Sequence, residues 1–300
     1  MTLRDVLLVA RFSLEEGLRS RRSLVLLALY LVGSVAGTSI LVEVIDQMES
    51  QAAQALAVSS AGKPGAMAGR LLQAEAVAEV LGGLLGDRAL AASLLDVPPV
   101  ALFYGWLALL FVPLLVALTA ADAIAGELGS GAARFVLFRT DRASWVVGRA
   151  AGHALLLAAG LGLGAAGAFV TGAAALADFD AAGTAWWLLR LTGRAWAYGL
   201  CWLGVVVGLS QLVRSGWKAG GLALGALTAA GIARALLSHP KVVEAAPVAA
   251  ESARLLLPGA HRLGLWQPAA MPRWTAIVVL LSIGTAALAA GHAVLSRRDA

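Results

Sequence analysis

Six long apolar runs constrain the fold of this 300-residue chain more than any other feature. An α-helix rises 1.5 Å per residue, so about 20 residues cross the roughly 30 Å hydrocarbon core of a membrane. An isolated strand leaves its backbone hydrogen bonds unsatisfied there, and the sequence lacks the ten-residue alternation of a membrane barrel. We therefore predict an all-α integral membrane protein with six transmembrane helices, at residues 23–42, 100–121, 150–174, 195–212, 219–237 and 274–295.

The composition agrees with a chain whose solvent is largely lipid. Apolar residues make up 60% of the sequence and charged residues 14%, whereas a soluble domain has about 45–50% and about 25%. Too few polar side chains remain to cover the surface of a water-soluble globule. The single cysteine, Cys201, excludes a disulfide bond within the chain.

The distribution of Lys and Arg predicts the orientation in the membrane. If the N-terminus is cytoplasmic, the cytoplasmic segments hold 13 Lys and Arg residues in 61 positions, and the outside segments hold nine in 113. The cytoplasmic segments are 1–22, 122–149, 213–218 and 296–300, and the outside segments are 43–99, 175–194 and 238–273. We expect both termini in the cytoplasm. The net charge of +5 is divided among short loops, which argues against nucleic acid as a partner.

Residues 1–22 predict an amphipathic helix in the cytoplasmic membrane interface. Apolar residues recur on one helix face at Leu3, Leu7, Ala10, Leu14 and Leu18, and the opposite face carries Arg4, Arg11, Glu15, Arg19 and Arg22. A soluble helix without a packing partner is the alternative interpretation. The direct junction with the first span favours the interfacial one.

The remaining segments complete a single domain over residues 1–300. The outside insertion 43–99 contains a predicted helix at 66–82, and Pro98 and Pro99 mark the start of the second span. The outside loop 238–273 contains a predicted helix near 247–257. Neither loop has enough apolar residues to fold alone, so we expect both to pack on the membrane domain.

The chain lacks the motifs of an enzyme. Its histidines form no H-E-x-x-H pattern, and no G-x-S-x-G nucleophile motif is present. The only Gly-Lys pair, Gly62-Lys63, is followed by Pro64 where a phosphate-binding loop needs Ser or Thr. The sequence therefore predicts no catalytic residues, no metal site and no cofactor, and any ATP-driven work requires an ATPase on another chain.

Two polar features deserve a functional interpretation. The first is the connector, which we define as residues 122–149 between the second and third spans. In it Arg134, Arg139 and Arg142 alternate with Phe135 and other apolar residues, a pattern that offers apolar and charged contacts to a partner. The second is the pair Arg190 and Arg194, which share a helix face among aromatic residues. This pair is either part of an interfacial girdle with its charges reaching water, or a cationic pair facing a transport pathway, with Asp178 or Asp180 as counter-ion.

Two stretches resemble the ATP-binding-cassette (ABC) type-2 permeases, the membrane subunits of exporters with the type V fold. They read ARFSLEEGLRSRRSL at 10–24 and DAIAGELGSGAARFVLFRTDRASWVVGRAAGH at 122–153. The order of an amphipathic helix, six spans and a loop after span two is also similar, and it covers the whole chain. The segments DAIAGE and GRAAGH look similar to the branch that supports nitrous oxide reductase maturation. Thr140-Asp141 stands where the family usually has proline.

The resemblance implies that the connector is the coupling helix, which contacts a nucleotide-binding subunit. Asp122 and Glu127 match the acidic positions of the family, Arg142 matches the arginine after the coupling turn, and Gly148 and Arg149 match the start of span three. Together with the mixed basic and apolar face, the predicted coupling residues are Asp122, Glu127, Arg134, Phe135, Arg139, Arg142, Gly148 and Arg149.

The function implied is that of a permease subunit of an ABC exporter in a bacterial inner membrane. Its expected partners are an ABC ATP-binding subunit and a second permease copy, in a homodimer or a paired permease. One alternative is a non-transporting membrane scaffold that recruits partner proteins through residues 43–99 and 238–273. Another is an intramembrane enzyme, against which the missing acid, base and nucleophile argue.

Overall fold

A computed structural model describes residues 2–55, 63–65, 83 and 88–297. The predicted helix at 66–82 lies outside these residues. Within them the secondary structure is helical, without strands. The helices are α1 (Leu3–Arg19), α2 (Arg21–Ala55), α3 (Arg88–Leu95), α4 (Pro99–Ala120), α5 (Ala125–Ser130), α6 (Ala132–Leu137), α7 (Arg142–Ala175), α8 (Ala181–Ser210), α9 (Gly216–Leu237), α10 (Pro240–Ala245), α11 (Pro247–Leu255) and α12 (Ala270–Ser296).

The all-α membrane architecture is confirmed. In the described part of the chain, α2, α4, α7, α9 and α12 are long and apolar enough to cross a membrane. Helix α8 contains the predicted fourth span; its 30 residues suffice for about 45 Å, but none of its stretches is as apolar as the most apolar stretch of each of the other five. The chain is therefore a multi-pass membrane protein with six long helices in the order that the hydropathy predicts.

Several predicted boundaries fall inside helices. Helix α2 continues to Ala55, α7 begins at Arg142 and α8 begins at Ala181, so parts of the predicted loops 43–99, 122–149 and 175–194 are helical. Hydropathy indicates which residues lie in the hydrocarbon layer. A helix can continue beyond them into the membrane interface, because its backbone hydrogen bonds do not depend on apolar side chains. Helix α4 begins at Pro99, as predicted, because proline suits the first position of a helix.

Helix α8 lies at the centre of the bundle and packs on α4, α7, α9 and α12. Its contact with α12 is made by backbone, since Gly204 lies against Gly284, and Gly208 against Ala287. Small residues allow this approach, which gives helices in lipid most of their packing energy. A central helix is largely covered by protein, which allows α8 to hold a buried arginine and close glycine contacts.

Helix α1 packs against the first half of α7. Its buried residues are small or medium-sized: Val6, Ala10, Ser13 and Gly17. The large residues Leu3, Leu7 and Leu18 of the predicted apolar face are exposed. The protein-facing stripe is thus adjacent to the apolar stripe that the periodicity indicates, and the leucines remain available to lipid.

Helix α1 and the last turn of α12 lie at the end of the bundle that holds the connector. Glu16 of α1 contacts Arg149, and the guanidinium of Arg142 donates to the carbonyl oxygen of Ser296 at 2.9 Å. We name this the connector end. The opposite end, here named the loop end, carries the described parts of the two long insertions.

The described parts of both insertions pack on the helices at the loop end. The amide of Gly65 donates to Glu49 at 2.9 Å, and the amide of Ala177 donates to the carbonyl oxygen of Pro64 at 2.8 Å. In the second insertion, Leu265 is buried and the Trp266 ring lies beside Gly105 of α4. The helix predicted at 247–257 is present as α11, and α10 precedes it.

Candidate functional site

The connector folds as two short helices instead of one. Helices α5 and α6 meet at Gly131, whose φ of +78° is the left-handed conformation that glycine adopts without a steric penalty. At the start of α5, the amides of Ile124 and Ala125 donate to the buried Oγ of Ser210, at 3.2 and 3.0 Å. These bonds tie the connector to the end of α8.

A buried arginine lies at the centre of the connector end. The side chain of Arg149 is 7% exposed and forms ion pairs with Glu127 of α5 and Glu16 of α1. The second oxygen of Glu127 accepts a hydrogen bond from Nε1 of the buried Trp145 at 2.8 Å. The ring of Phe12 lies 5.7 Å from Cζ of Arg149. Two carboxylates on one buried guanidinium offset the cost of removing its charge from water.

A second ion pair joins two further helices at the same end. Nη1 of Arg22, at the start of α2, lies 3.0 Å from Oδ2 of Asp122, just after α4. Both side chains are about half exposed, so this pair contributes less to stability than the Arg149 pairs. The two sets of ion pairs link α1, α2, α4, α5 and α7 at one level.

The glycines beside Arg149 allow α1 to approach α7. A Cβ atom at position 148 would stand 2.6 Å from Cβ of Val9 and 2.9 Å from the carbonyl oxygen of Val6. A Cβ atom at position 152 would stand 2.7 Å from the carbonyl oxygen of Ala10. These spaces are too small for any side chain. Gly148 therefore holds the helix that carries Glu16 close enough to pair with Arg149.

Asp141 starts α7 at the place where the family usually has proline. Its carboxylate accepts hydrogen bonds from the amide of Ser144 at 2.9 Å and from the hydroxyl of Ser144 at 2.7 Å. These bonds stabilise the charged carboxylate and lower the pKa of Asp141 to about 2. An aspartate in this position caps the helix N-terminus.

The outward face of α6 offers apolar and basic side chains to a partner. Phe135 is 76% exposed and Phe138 is 85% exposed, and Arg134 and Arg139 are exposed beside them. An open groove of about 520 Å³ runs along this face, between Arg134 and Arg142. Exposed aromatic and arginine side chains around a groove are typical of protein contact surfaces. We name Arg134, Phe135, Phe138 and Arg139 the contact face.

The predicted coupling residues thus divide into two groups. Asp122, Glu127, Gly148 and Arg149 make contacts within the chain, and Arg142 holds the end of α12. Arg134, Phe135 and Arg139 belong to the contact face. Sequence reasoning did not assign a role to Glu16, Trp145 or Ser210. The stretch at 10–24 contains Glu16, so its match to the family could have indicated it, whereas no motif marks Trp145 or Ser210.

The two members of the arginine pair near the loop end, Arg190 and Arg194, lie in different environments. Arg190 is exposed, with its Cζ 4.4 Å from the Trp186 ring and 5.4 Å from the Trp187 ring, as in an interfacial girdle. Arg194, one turn further, is 9% exposed. One predicted counter-ion, Asp180, instead accepts the amide of Gly183 at 3.0 Å as the cap of α8. In the described part of the chain, no carboxylate forms an ion pair with Arg194.

Metal-binding residues do not cluster in this structure. Among the described residues, no group of three or more His, Cys, Asp or Glu side chains lies close enough to hold a metal ion. The polar groups at the connector end are instead ion pairs and helix caps, which hold helices in place.

Comparison with known proteins identifies one family. The model of a family described as "ABC-2 family transporter protein" matches residues 7–300. No curated protein matches the chain. The family match covers the connector, all six long helices and most of α1.

Proposed function

This chain belongs to the ABC-2 transporter family, and we propose that it is the membrane-spanning permease subunit of an ABC exporter, driven by a separate ATP-binding subunit. One observation carries the proposal: the contact face stands on a connector that ion pairs hold to α1 and α7. A flexible loop would absorb a push from a partner. A connector held in this way transmits the push to the helices.

The proposed mechanism is mechanical. When the ATP-binding subunits close on ATP, they press on Phe135 and Phe138. The Glu127–Arg149 pair passes this displacement to the start of α7, and the pairing of Arg149 with Glu16 moves α1 with it. The Ser210 hydroxyl connects the same movement to α8. The long helices tilt as rigid bodies, which is how packed helices change state.

The remaining parts of the proposal concern location and assembly. The subunit works as a homodimer or with a second permease, in a bacterial inner membrane with the connector end in the cytoplasm. The excess of Lys and Arg at this end supports the orientation. ATP binds to the partner subunit, and the permease itself binds no cofactor. A place in the nitrous oxide reductase maturation branch stays a prediction.

The contact face provides the test. The double variant carries Phe135→Asp and Phe138→Asp. This variant and the wild-type chain are each tagged, coexpressed with an ABC ATP-binding subunit from the same organism, and purified. We expect the variant to lose at least nine-tenths of the copurified ATPase, because charged aspartates cannot fill apolar pockets on the partner. Val248→Asp is the matched control, since Val248 is 79% exposed at the loop end.

The outcome also separates transport from the scaffold alternative. Equal ATPase recovery with the double variant and the wild type would contradict the proposed contact. A chain that binds the ATPase but does not change its hydrolysis rate in lipid would favour a scaffold. Both phenylalanines are exposed, so their replacement should leave the packing of the helices intact. Size-exclusion chromatography of each variant checks that it is folded.

A further inference from the structure

Arg194 is a buried cation without a partner. Its side chain is 9% exposed, and its guanidinium forms no hydrogen bond or ion pair in the described part of the chain. Desolvation of an unpaired charge is expensive, so buried arginines normally contact carboxylates or other anions. Arg190 lies one turn away on the same helix, so the nearest charge along α8 repels that of Arg194. This arrangement costs stability unless something else binds there.

Further arginines lie on the elements that pack around this part of the bundle. The turn Pro258–His261, which directly precedes Arg262, packs on α8, α9 and α12. Nη1 of Arg234 lies 3.4 Å from where a Cβ of Gly259 would be, and Nη1 of Arg273 donates to the carbonyl oxygen of Pro268 at 3.2 Å. Three elements therefore bring arginines to this end of the bundle: α9, the segment after α11, and the start of α12. We name Arg194, Arg234, Arg262 and Arg273 the arginine cluster.

The depths of these residues agree. Counting 1.5 Å per residue, Arg194 lies about 24 Å along α8 from Ser210, and Arg234 lies about 27 Å along α9 from Gly216. Ser210 and Gly216 are both at the connector end, where they contact the residues around Asp122. The cluster is therefore near the opposite edge of the hydrocarbon layer. Trp187 lies about 10 Å further along α8, and tryptophan is frequent where the hydrocarbon layer meets the headgroups.

Two carboxylates at the loop end are engaged elsewhere. Glu251 pairs with Arg254 at 2.9 Å, and Asp180 caps α8. Arg234, Arg262 and Arg273 are each partly buried. The cluster thus has several guanidinium groups, partial shelter from water and a missing negative charge.

We propose that the arginine cluster binds a phosphate group at the loop end of the bundle, with Arg194 as its innermost contact. Guanidinium groups bind phosphate through paired N–H donors, and they do so best in partly desolvated places. The phosphate belongs to a phospholipid headgroup or to a soluble phosphate ester. Phosphate binding at this site requires no ATPase, so its test is independent of the proposed coupling between the connector and an ATPase.

The test compares Arg194→Gln with wild type, using the full chain purified without an ATPase. In the lipid arm, the chain is reconstituted in vesicles of phosphatidylglycerol and phosphatidylcholine, extracted, and its retained lipids are counted by native mass spectrometry. In the soluble arm, inorganic phosphate is added in detergent and the melting temperature is measured. Arg254→Gln is the matched control, because Arg254 is exposed and pairs with Glu251.

We expect Arg194→Gln to reduce retained phosphatidylglycerol at least fivefold if the ligand is a lipid, or to abolish stabilisation by phosphate if it is soluble. Arg254→Gln leaves both unchanged. If Arg194→Gln behaved like the wild type in both the lipid arm and the soluble arm, the proposal would be overturned. Arg234→Gln serves as a second variant if Arg194→Gln is unstable.

A stability measurement distinguishes binding from a structural role. Without anionic lipid or phosphate, Arg194→Leu should melt at the same or a higher temperature than wild type, because it removes an unpaired buried charge. A lower melting temperature under these conditions would show that Arg194 stabilises the fold itself, and would overturn its role as a ligand-binding residue.

Discussion

At the scale of residues, the connector end depends on one buried charge. Arg149 has two carboxylate partners, one from α5 and one from α1. A buried pair adds little net stability compared with apolar packing, but removing one partner leaves a charge that is costly to bury. Arg149 therefore fixes the position of its neighbours more than it stabilises the fold, which suits a connector that transmits force.

Glu127→Gln tests this role of the charge. The variant keeps the size of the side chain but leaves Arg149 with Glu16 alone, so we expect a loss of about 1–3 kcal/mol in unfolding free energy. Thermal unfolding in detergent measures it. Glu15→Gln is the control, since Glu15 forms an exposed pair with Arg11 and its loss should leave the melting temperature unchanged. Equal effects of the two variants would contradict a special role for Glu127.

The cap at Asp141 predicts a pH dependence. Its pKa is lowered to about 2 by the hydrogen bonds from Ser144, against about 3.9 in an unfolded chain. A lowered pKa means that the charge contributes its full stabilisation above pH 4, and that this contribution shrinks below pH 4 and is lost as the pH falls through 2. Wild type should melt above Asp141→Asn at pH 5–7, and the difference should shrink below pH 4 and vanish below pH 2. A difference that does not change over this range would refute the assignment.

At the scale of elements, glycines determine which helices approach closely. Gly204 and Gly208 bring α8 onto the backbone of α12, and Gly148 and Gly152 bring α1 onto α7. Gly160 and Gly164 of α7 likewise lie against Leu27 and Tyr30 of α2. By contrast, a Cβ at Gly220, Gly221 or Gly225 would meet nothing within 4 Å. A four-residue spacing of glycines therefore occurs both on helix faces that pack closely against a neighbour and on open helix faces.

A pair of glycines on α7 tests this account. Gly148→Ala places a methyl group against Val9, so we expect a loss of about 1–3 kcal/mol in unfolding free energy and displacement of α1. Gly162→Ala is the control on the same helix, because a Cβ there would meet nothing within 4 Å. It should be neutral or stabilise by about 0.5–1 kcal/mol, through the helix preference of alanine. Unfolding in detergent compares them, and equal losses would contradict the packing role.

At the scale of the whole molecule, the two ends have different tasks. The connector end holds α1, the last turn of α12, the ion pairs and the contact face, whereas the loop end holds the arginine cluster and the described parts of the insertions. Helix α8 passes between them, with Ser210 at one end and Arg194 toward the other. A movement imposed at the connector can thus reach the arginine cluster along one rigid helix.

Single-cysteine labelling tests the orientation of this arrangement. Cys201 is fully buried, so the wild-type chain should not react with a membrane-impermeant maleimide. Ser130→Cys at the connector end should react only after the cells are opened, and Ser252→Cys at the loop end should react in intact cells, because both positions are exposed. The reverse pattern would place the connector outside and end the proposed coupling to a cytoplasmic ATPase.

Local patterns along the chain were sufficient to predict the class of this protein and the order of its helices. Lipid requires about 20 apolar residues per crossing, and this requirement is local enough to be read along the chain. The pattern around Asp122, Glu127 and Arg149 also indicated where the connector lies. The proline at the start of α4 and the loop helix at 247–255 follow from local backbone preferences as well.

Which charges meet depends on how the helices pack in three dimensions. Glu16 and Arg149 are 133 residues apart in the chain, and Arg22 and Asp122 are 100 apart. No local preference links such positions, because their contact depends on how α1 and α2 pack beside α4 and α7. The same holds for Arg190 and Arg194: their spacing is that of one helix face, and only the neighbouring helices leave one in the interface and bury the other without a partner.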